Sequence, residues 1–392
     1  MSDRVETRDH ERRGQKLRGD TLKEVAQVFL LLGFVGFGGP AAHVALMRRE
    51  IVQRRRWVEE KEFLEMYAAC NLIPGPSSTE LAIFLGYRRA GWRAMLLAGV
   101  LFILPAMLIM LGIAWAYTHY RSTTGASAIF YGLRPVIVAV ILWALVDLAG
   151  RVLRRPLSVL ISVGALGLAM LGVYPLLVLA AAAVAVLAAE TSRKLPSSTA
   201  PALLPIGGYL LDAGWPELSR LPLVFLTFLK IGAISYGSGY VLLAFLHADF
   251  VANLHWLSDK QLLDAVALGQ ATPGPVFTTA TFLGYLFAGL PGALLATIGI
   301  FLPGFVFVPF LQPLVRLARE RSSVGSMLDG VNAGVLGLIA AVTLQIGRAA
   351  VVDLATVLIV VVSFAILRRW PLSSPALIAG GAGLGVLLRL VL

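Results

Sequence analysis

Residues 71–80 read Asn-Leu-Ile-Pro-Gly-Pro-Ser-Ser-Thr-Glu, and residues 270–279, 199 positions later, read Gln-Ala-Thr-Pro-Gly-Pro-Val-Phe-Thr-Thr. The match extends outward from this pair. At the same offset Trp57 meets Trp256, Lys61 meets Lys260, Leu64 meets Leu263 and Ala68 meets Ala267. After a one-residue deletion, an offset of 198 aligns Gly86-Tyr87 with Gly284-Tyr285, Gly91 with Gly289 and Pro105 with Pro303. Apolar helices rich in Leu, Gly and Ala resemble one another by composition, but aligned Trp, Lys and Pro-Gly-Pro are not generic. The chain reads as a two-fold repeat whose period is far too long for a solenoid. The expected divisions are a soluble tail 1–21, an N-terminal membrane repeat 22–190, a linker 191–220 and a C-terminal membrane repeat 221–392.

The composition sets the solvent. With 58% hydrophobic and 14% charged residues in 392, this is an integral membrane protein. The surplus of 33 Lys+Arg over 22 Asp+Glu mostly borders apolar segments, so it reads as orientation-setting arginines and not as a nucleic-acid surface. The single cysteine, Cys70, excludes an internal disulfide. Five scattered histidines give no HExxH, and no Ser/His/Asp arrangement appears, so neither a metal, nor a cofactor, nor an enzyme is expected. Met1 to Glu24 mixes acids and bases without an apolar run, so it is no secretory signal.

Apolar stretches occupy 25–47, 92–117, 128–149, 157–190, 221–246, 291–315, 327–347, 354–367 and 374–392. Several reach the ~20 residues a spanning helix needs, while 157–190 is either one tilted span or two short ones broken at Gly172 to Pro175. Strand alternation is absent, so the fold class is an all-α polytopic membrane protein.

Arginines report the relation between the halves. The segment after the first apolar stretch holds Arg48, Arg49, Arg54, Arg55 and Arg56, whereas its counterpart 247–255 has no Lys or Arg. Arg88, Arg89 and Arg93 become Leu286, Phe287 and Pro291, and the bias reverses where Arg316, Arg319 and Arg321 face a half-one loop with only Arg121. That pattern predicts inverted repeats. The tail and 48–56 are both basic, however, so either the first stretch is a re-entrant hairpin or one region breaks the rule.

Inverted repeats point to a secondary transporter whose site lies near the midplane where discontinuous helices meet. One pair of breaks is Gly36-Phe37-Gly38-Gly39-Pro40 and Tyr236-Gly237-Ser238-Gly239-Tyr240, where glycine permits unwound backbone and Pro40 removes a donor. The other is the Pro-Gly-Pro pair, with Pro76 and Pro275 opening short helices 76–88 and 275–287, too short to span alone. Free N–H groups and the positive dipole end then face the site, flanked by Asn71, Ser77, Ser78, Thr79, Gln270, Thr278 and Thr279. Donors without fixed charge suit a dehydrated oxyanion that must also leave. The Ser and Thr residues have a second reading, as simple N-caps.

Phe37-Gly38-Gly39-Pro40, the basic segment leading to Trp57, the pair Pro74-Gly75-Pro76 and Pro273-Gly274-Pro275, and the closing Gly86-Tyr87 and Gly284-Tyr285 together resemble the chromate ion transporter family in its long, two-repeat form. The resemblance covers roughly residues 22–392. It implies chromate efflux across a bacterial inner membrane driven by the proton-motive force, with sulfate as a similar tetrahedral dianion. Half two departs from it, carrying Tyr236-Gly237-Ser238-Gly239 where half one has Phe-Gly-Gly-Pro. A passive anion channel would use the same loops.

Intramembrane ionisable residues are functional candidates by default. Glu80, one turn into the first short helix, is either a proton carrier or a stabiliser of the helix N-terminus. Lys230 either draws anions inward or snorkels. His43 either titrates or packs. Arg134 and Asp147 share one helix and either can sit near its ends. The Gly-rich face Gly380 to Gly385 offers a surface for a homodimer.

Overall fold

The computed structural model describes residues 3–194, 220–236, 239–311, 322–370 and 373–391, and these form helices without any strand. Most of the expected linker 191–220, together with Gly237 and Ser238, lies outside the described residues.

Half one opens with two hairpins. Helix α1 (Asp3–Val35) ends just before Gly38 and Gly39, which take φ of +100° and +79°, backbone that the interior of a right-handed helix does not hold. Helix α2 (Gly39–Met47) restarts with Pro40 in its first turn, where the missing N–H costs nothing, and passes into a π-helical turn at Arg48–Arg54. Glu24 in α1 accepts hydrogen bonds from Arg55 Nη1 at 2.9 Å and Trp57 Nε1 at 3.3 Å, beyond the far end of α2. The chain therefore enters and returns to the same face. This settles the difficulty of two basic flanks: the first apolar stretch is a re-entrant hairpin, and both flanks share one side.

The second hairpin joins α3 (Glu60–Cys70) to the first arm of α4 (Ser77–Tyr120). Non-helical Ala90 and Gly91, the latter at φ +69°, divide α4 into a short arm 77–89 and a long arm 92–120. At 1.5 Å per residue the short arm covers about 20 Å, well short of the ~30 Å hydrocarbon. Arg88 at its end pairs with Glu62 at the start of α3 at 2.6 Å, and Arg89 pairs with Glu24 at 3.1 Å, which closes both hairpins at one face. Gly33 lets α1 lie against the long arm, since a Cβ there would stand 2.8 Å from the Phe102 carbonyl oxygen.

Half two repeats this backbone. Helix α8 (Arg220–Ile234), α9 (Val241–Leu246) with a π-helical turn at His247–Asn253, α10 (Asp259–Ala271), and a 3-10 turn at Val276–Thr278 leading into α11 (Thr279–Phe307) come in the same order. Positive φ recurs at Arg56 (52°) and His255 (53°), and at Gly91 (69°) and Gly289 (62°). Gly232 serves α8 as Gly33 serves α1, facing the Ile300 carbonyl.

The remaining helices are α5 (Thr124–Val152), α6 (Pro156–Met170), α7 (Pro175–Lys194), α12 (Ser322–Ala350), α13 (Leu354–Arg369) and α14 (Ser374–Val391). The stretch 157–190 is thus two helices, turning at Gly172 (φ +81°). Half two's α10 begins beside the far end of half one's long arm, where Tyr117 and Arg134 both bond Asp264. The hairpin bases of the two halves therefore occupy opposite faces, as inverted repeats require.

The halves also exchange helices. The Ser162 hydroxyl on α6 donates to the Ala333 carbonyl on α12 at 2.9 Å, and Gly132 on α5 packs against Gly381 and Gly385 on α14. That contact corrects part of the homodimer expectation: Gly381 and Gly385 are occupied within the chain, and only Gly380 and Gly383 lie open. Among the described residues four segments are long and apolar enough to cross a bilayer: Ser77–Tyr120, Thr124–Val152, Val276–Phe310 and Met327–Ala350. Leu96, Val100, Leu108 and Trp115 are exposed along the long arm of α4, as lipid-facing side chains are.

Candidate functional site

The four hairpin tips meet. The Gly75 N–H donates to the Ser235 carbonyl at 2.7 Å, and the Gly274 N–H donates to the Gly36 carbonyl at 2.7 Å. These bonds are images of one another under the 199-residue offset, so each Pro-Gly-Pro loop closes on the broken helix of the opposite half. The Tyr236 hydroxyl donates to the Asn71 carbonyl at 2.6 Å, and a Cβ at Gly239 would stand 4.0 Å from Pro40. Both central glycines take left-handed backbone, Gly75 at φ +130° and Gly274 at +86°. A side chain at Gly75 would run into the Glu80 carboxylate, and one at Gly274 into Ala106 at 2.6 Å.

Proline stops α3 and α10 from running on, and it is tolerated in the first turn of the next helix. Pro74, Pro76, Pro273 and Pro275 thus hold the loops between helices whose ends point at one centre. At the start of α4 the N–H groups of Thr79 and Glu80 return to the Pro76 carbonyl at 2.7 and 3.1 Å, whereas those of Ser77 and Ser78 precede the first intrahelical bond. In half two Thr278 N–H returns to Pro275 at 2.9 Å.

The side chains are not equivalent between halves. Thr278 and Thr279 hydroxyls donate to Pro275 and Val276 carbonyls at 2.7 Å each, which corrects the expectation that they project donors into the site. Asn71 is corrected likewise, because its amide donates to the Tyr67 carbonyl at 3.0 Å and closes the last turn of α3. Ser78 reaches His43 Nδ1 at 3.2 Å, while His43 Nε2 lies 2.8 Å from the Gly36 carbonyl. A carbonyl only accepts, so the proton sits on Nε2 and Ser78 donates to Nδ1. His43 is buried and braced edge-on by Phe102, a packing and hydrogen-bonding role at the tip. Gln270 is buried and bonds the Tyr240 side chain.

The unsatisfied groups at the tips gather around Glu80 of half one. Glu80 is 0% exposed and neither carboxylate oxygen has a hydrogen-bond partner; Thr79 Oγ1 and Ser235 Oγ are likewise buried without one. Thr279 occupies the position of Glu80 in half two, so half two has no carboxylate at that position. Gly304 on α11 lies beneath, a Cβ there standing 3.6 Å from Glu80 Cγ.

Lys230 is neither a free anion lure nor a snorkelling side chain. It donates to Asp249 at 2.7 Å over the Tyr174 ring, whose hydroxyl also bonds Asp249, at the wall of a cavity of about 640 Å³. Arg134 pairs with Asp264 and not with anything near Asp147, which bonds Arg151 at the helix end. Asp249 and Asp264 were missed from the sequence as partners. A signal was present for Asp249, a lone acid in an otherwise apolar run that needs a cation, whereas Asp264 follows the polar Ser258-Asp259-Lys260-Gln261 and does not stand out. Among the described residues no cluster could hold a metal ion.

The family described as Chromate transporter matches residues 23–187 and 223–386, one segment in each half. The chain is 32% identical over 375 residues to a chromate transport protein of Cupriavidus metallidurans, covering 93% of each chain. It is 31% identical to a probable chromate transport protein of Synechococcus elongatus, covering 90% of this chain and 91% of that one. A chromate transport protein of Pseudomonas aeruginosa is 33% identical over 335 residues, 82% of this chain and 80% of the relative. No solved structure matches the chain.

Proposed function

Because the chain belongs to the chromate transporter family, we propose that it is a secondary active exporter of chromate in a bacterial inner membrane, with sulfate as a related tetrahedral dianion. The observation that carries this reading is the junction of four hairpin tips around Glu80, Thr79 and Ser235, whose polar atoms are buried without protein partners. In it the oxyanion lies between the two Pro-Gly-Pro loops, against the N–H groups of Ser77 and Ser78, the Thr79 hydroxyl and the facing start of the half-two helix. Gly38, Gly39 and Pro40 shape the floor from one side and Gly239 from the other; Gly237 and Ser238 lie outside the described residues.

Glu80 supplies the coupling. An ionised carboxylate and a dianion cannot share a buried site without a large repulsive cost, so a proton on Glu80 accompanies the anion. The loaded site then carries two negative charges and the empty site, returning with Glu80 ionised, carries one. Each cycle therefore moves one net negative charge outward, and an inside-negative membrane potential, the electrical part of the proton-motive force, drives it by about 2.3 kcal/mol per 100 mV. Arg48, Arg49, Arg54, Arg55, Arg56, Arg88 and Arg89 lie at or beside the half-one hairpin bases, and the positive-inside bias makes that face cytoplasmic.

The test is chromate and sulfate uptake into inside-out vesicles. Accumulation above the external concentration that a protonophore abolishes is expected. With the potential clamped at zero by potassium and valinomycin, an acid-outside pH step should still drive uptake. Uptake that follows the potential alone and ignores pH would make the protein a passive channel, because an inside-positive potential accumulates an anion through a channel as well.

A further inference from the structure

Three guanidinium groups ring one cavity at the face opposite the half-one hairpin bases. The cavity is about 520 Å³, lies between α5, α10 and α14, and is walled by Arg121, Arg134, Lys260 and Arg389 with Asp264 and Asp353. Four cations against two carboxylates leave an excess of two positive charges. Each arginine lies on an aromatic ring: Arg121 over Tyr117 at 6.0 Å, Arg134 over Phe130 at 5.6 Å and Arg389 over Tyr131 at 5.5 Å. A guanidinium stacked on a ring is held flat while its in-plane N–H edge stays available for a bidentate oxyanion.

Both carboxylates already have partners. Asp264 takes Arg134 Nε at 2.8 Å and Nη2 at 2.9 Å, a fork geometry, and the Tyr117 hydroxyl at 2.9 Å. Asp353 accepts from the Tyr131 hydroxyl at 2.6 Å and caps α13 through the Thr356 N–H at 2.8 Å. The Tyr131 hydrogen bond holds Asp353 below the usual carboxylate range, so it remains a full negative charge and is already counted. No ion pair joins Arg121, Lys260 or Arg389 to an acid among the described residues. Asp264 also marks how the cavity relates to the tips, because α10 runs from it to Ala271, about 10 Å along the helix, two residues before Pro273.

We propose that this cavity is a second binding site for a free tetrahedral dianion, with Arg121, Lys260 and Arg389 as its receiving cations and the Arg134–Asp264 fork as its floor. It rests on the reading of the protein as an oxyanion exporter and places a station between the tip junction and the outer face. A station in series lets a tightly held anion leave in two shorter steps.

The experiment reads the cavity without transport. Ser127 lines it and is exposed, so a Ser127→Cys variant in a Cys70→Ala background, in phosphatidylcholine nanodiscs, reports the local field through thiol modification. An anionic methanethiosulfonate is expected to react about tenfold faster than a cationic one. Sulfate, used because chromate oxidises thiols, should slow the anionic reagent along a saturating curve that chloride at matched ionic strength does not reproduce. Arg121→Gln with Arg389→Gln, both surface changes, should remove the protection, and Glu80→Gln should leave it intact. Sulfate acting no better than chloride would overturn the site. So would protection that requires phosphatidylglycerol in place of sulfate, since the occupant would then be a lipid phosphate. Failure at the tips alone would leave the Ser127→Cys protection unchanged, which separates the two readings.

Discussion

Replacing Glu80 by Gln keeps the shape of a fully buried side chain and removes its only proton. Its carboxylate oxygens have no protein partner, so little packing or hydrogen bonding is lost. The electrostatic consequence is large. A dianion about 6 Å from a carboxylate, at an effective dielectric of ~20, is repelled by roughly 5–6 kcal/mol, about four decades in affinity. Chromate therefore moves with a protonated Glu80 as one net charge in the native protein, and as two charges in the variant. In proteoliposomes clamped with potassium and valinomycin, a tenfold chromate gradient is worth ~1.36 kcal/mol and one charge across 100 mV ~2.3 kcal/mol, so net flux should vanish near ~59 mV for the native protein and ~30 mV for Glu80→Gln. One unit of pH difference should shift the native null potential by about 59 mV and leave the variant's unmoved, acidification of the departure side favouring transport only in the native protein. A native null potential near 30 mV that ignores pH, or a variant that still responds to pH, would refute the coupling.

Other consequences concern the frame of the site. Gly75→Val and Gly274→Val place a β-branched side chain where φ is +130° and +86°, so both should insert normally and lose chromate transport, while Ser77→Ala costs at most about 0.5–1.5 kcal/mol of binding; flux assays on expression-matched membranes read the order. Cysteines at Arg55 and Leu254 in a Cys70→Ala background should label from opposite faces with an impermeant maleimide, and labelling from one face would remove the inversion. Lys230→Met strands Asp249 and should cost about 3 kcal/mol, the low end for a buried pair because the lysine is 28% exposed, whereas Lys230→Met with Asp249→Leu should recover most of the melting temperature. Gly132→Leu should separate α5 from α14 and lower the yield of folded protein, visible as aggregation in size-exclusion chromatography.

The repeat, the helical class, the inversion and the short arms beyond each Pro-Gly-Pro were legible because they rest on residues with few conformational options. Pro and Gly fix where a ladder of hydrogen bonds must stop, and arginine marks a face. The hairpin at Gly36 to Pro40 was ambiguous because its glycines say that a helix breaks without saying whether the chain turns back; the Glu24–Arg55 contact that decides it joins residues 31 apart. Hydroxyl roles were illegible for a different reason. Ser77, Ser78, Thr79, Thr278 and Thr279 look alike in sequence, yet two of them return to carbonyls three residues back, a choice set by side-chain rotamer. The pairing of Lys230 with Asp249, and of Arg134 with Asp264 across the two halves, is tertiary, and no local spacing encodes it.

The most direct measurement is anomalous scattering from chromium in crystals grown with chromate. A chromium peak is predicted at the junction of the tips, within hydrogen-bonding reach of the Ser77 and Ser78 N–H groups and the Thr79 hydroxyl, and it should vanish in Gly75→Val. A peak confined to the arginine-ringed cavity, or one at the junction that persists in Gly75→Val with the loop displaced, would contradict the assignment of the crossed helix breaks as the transport site.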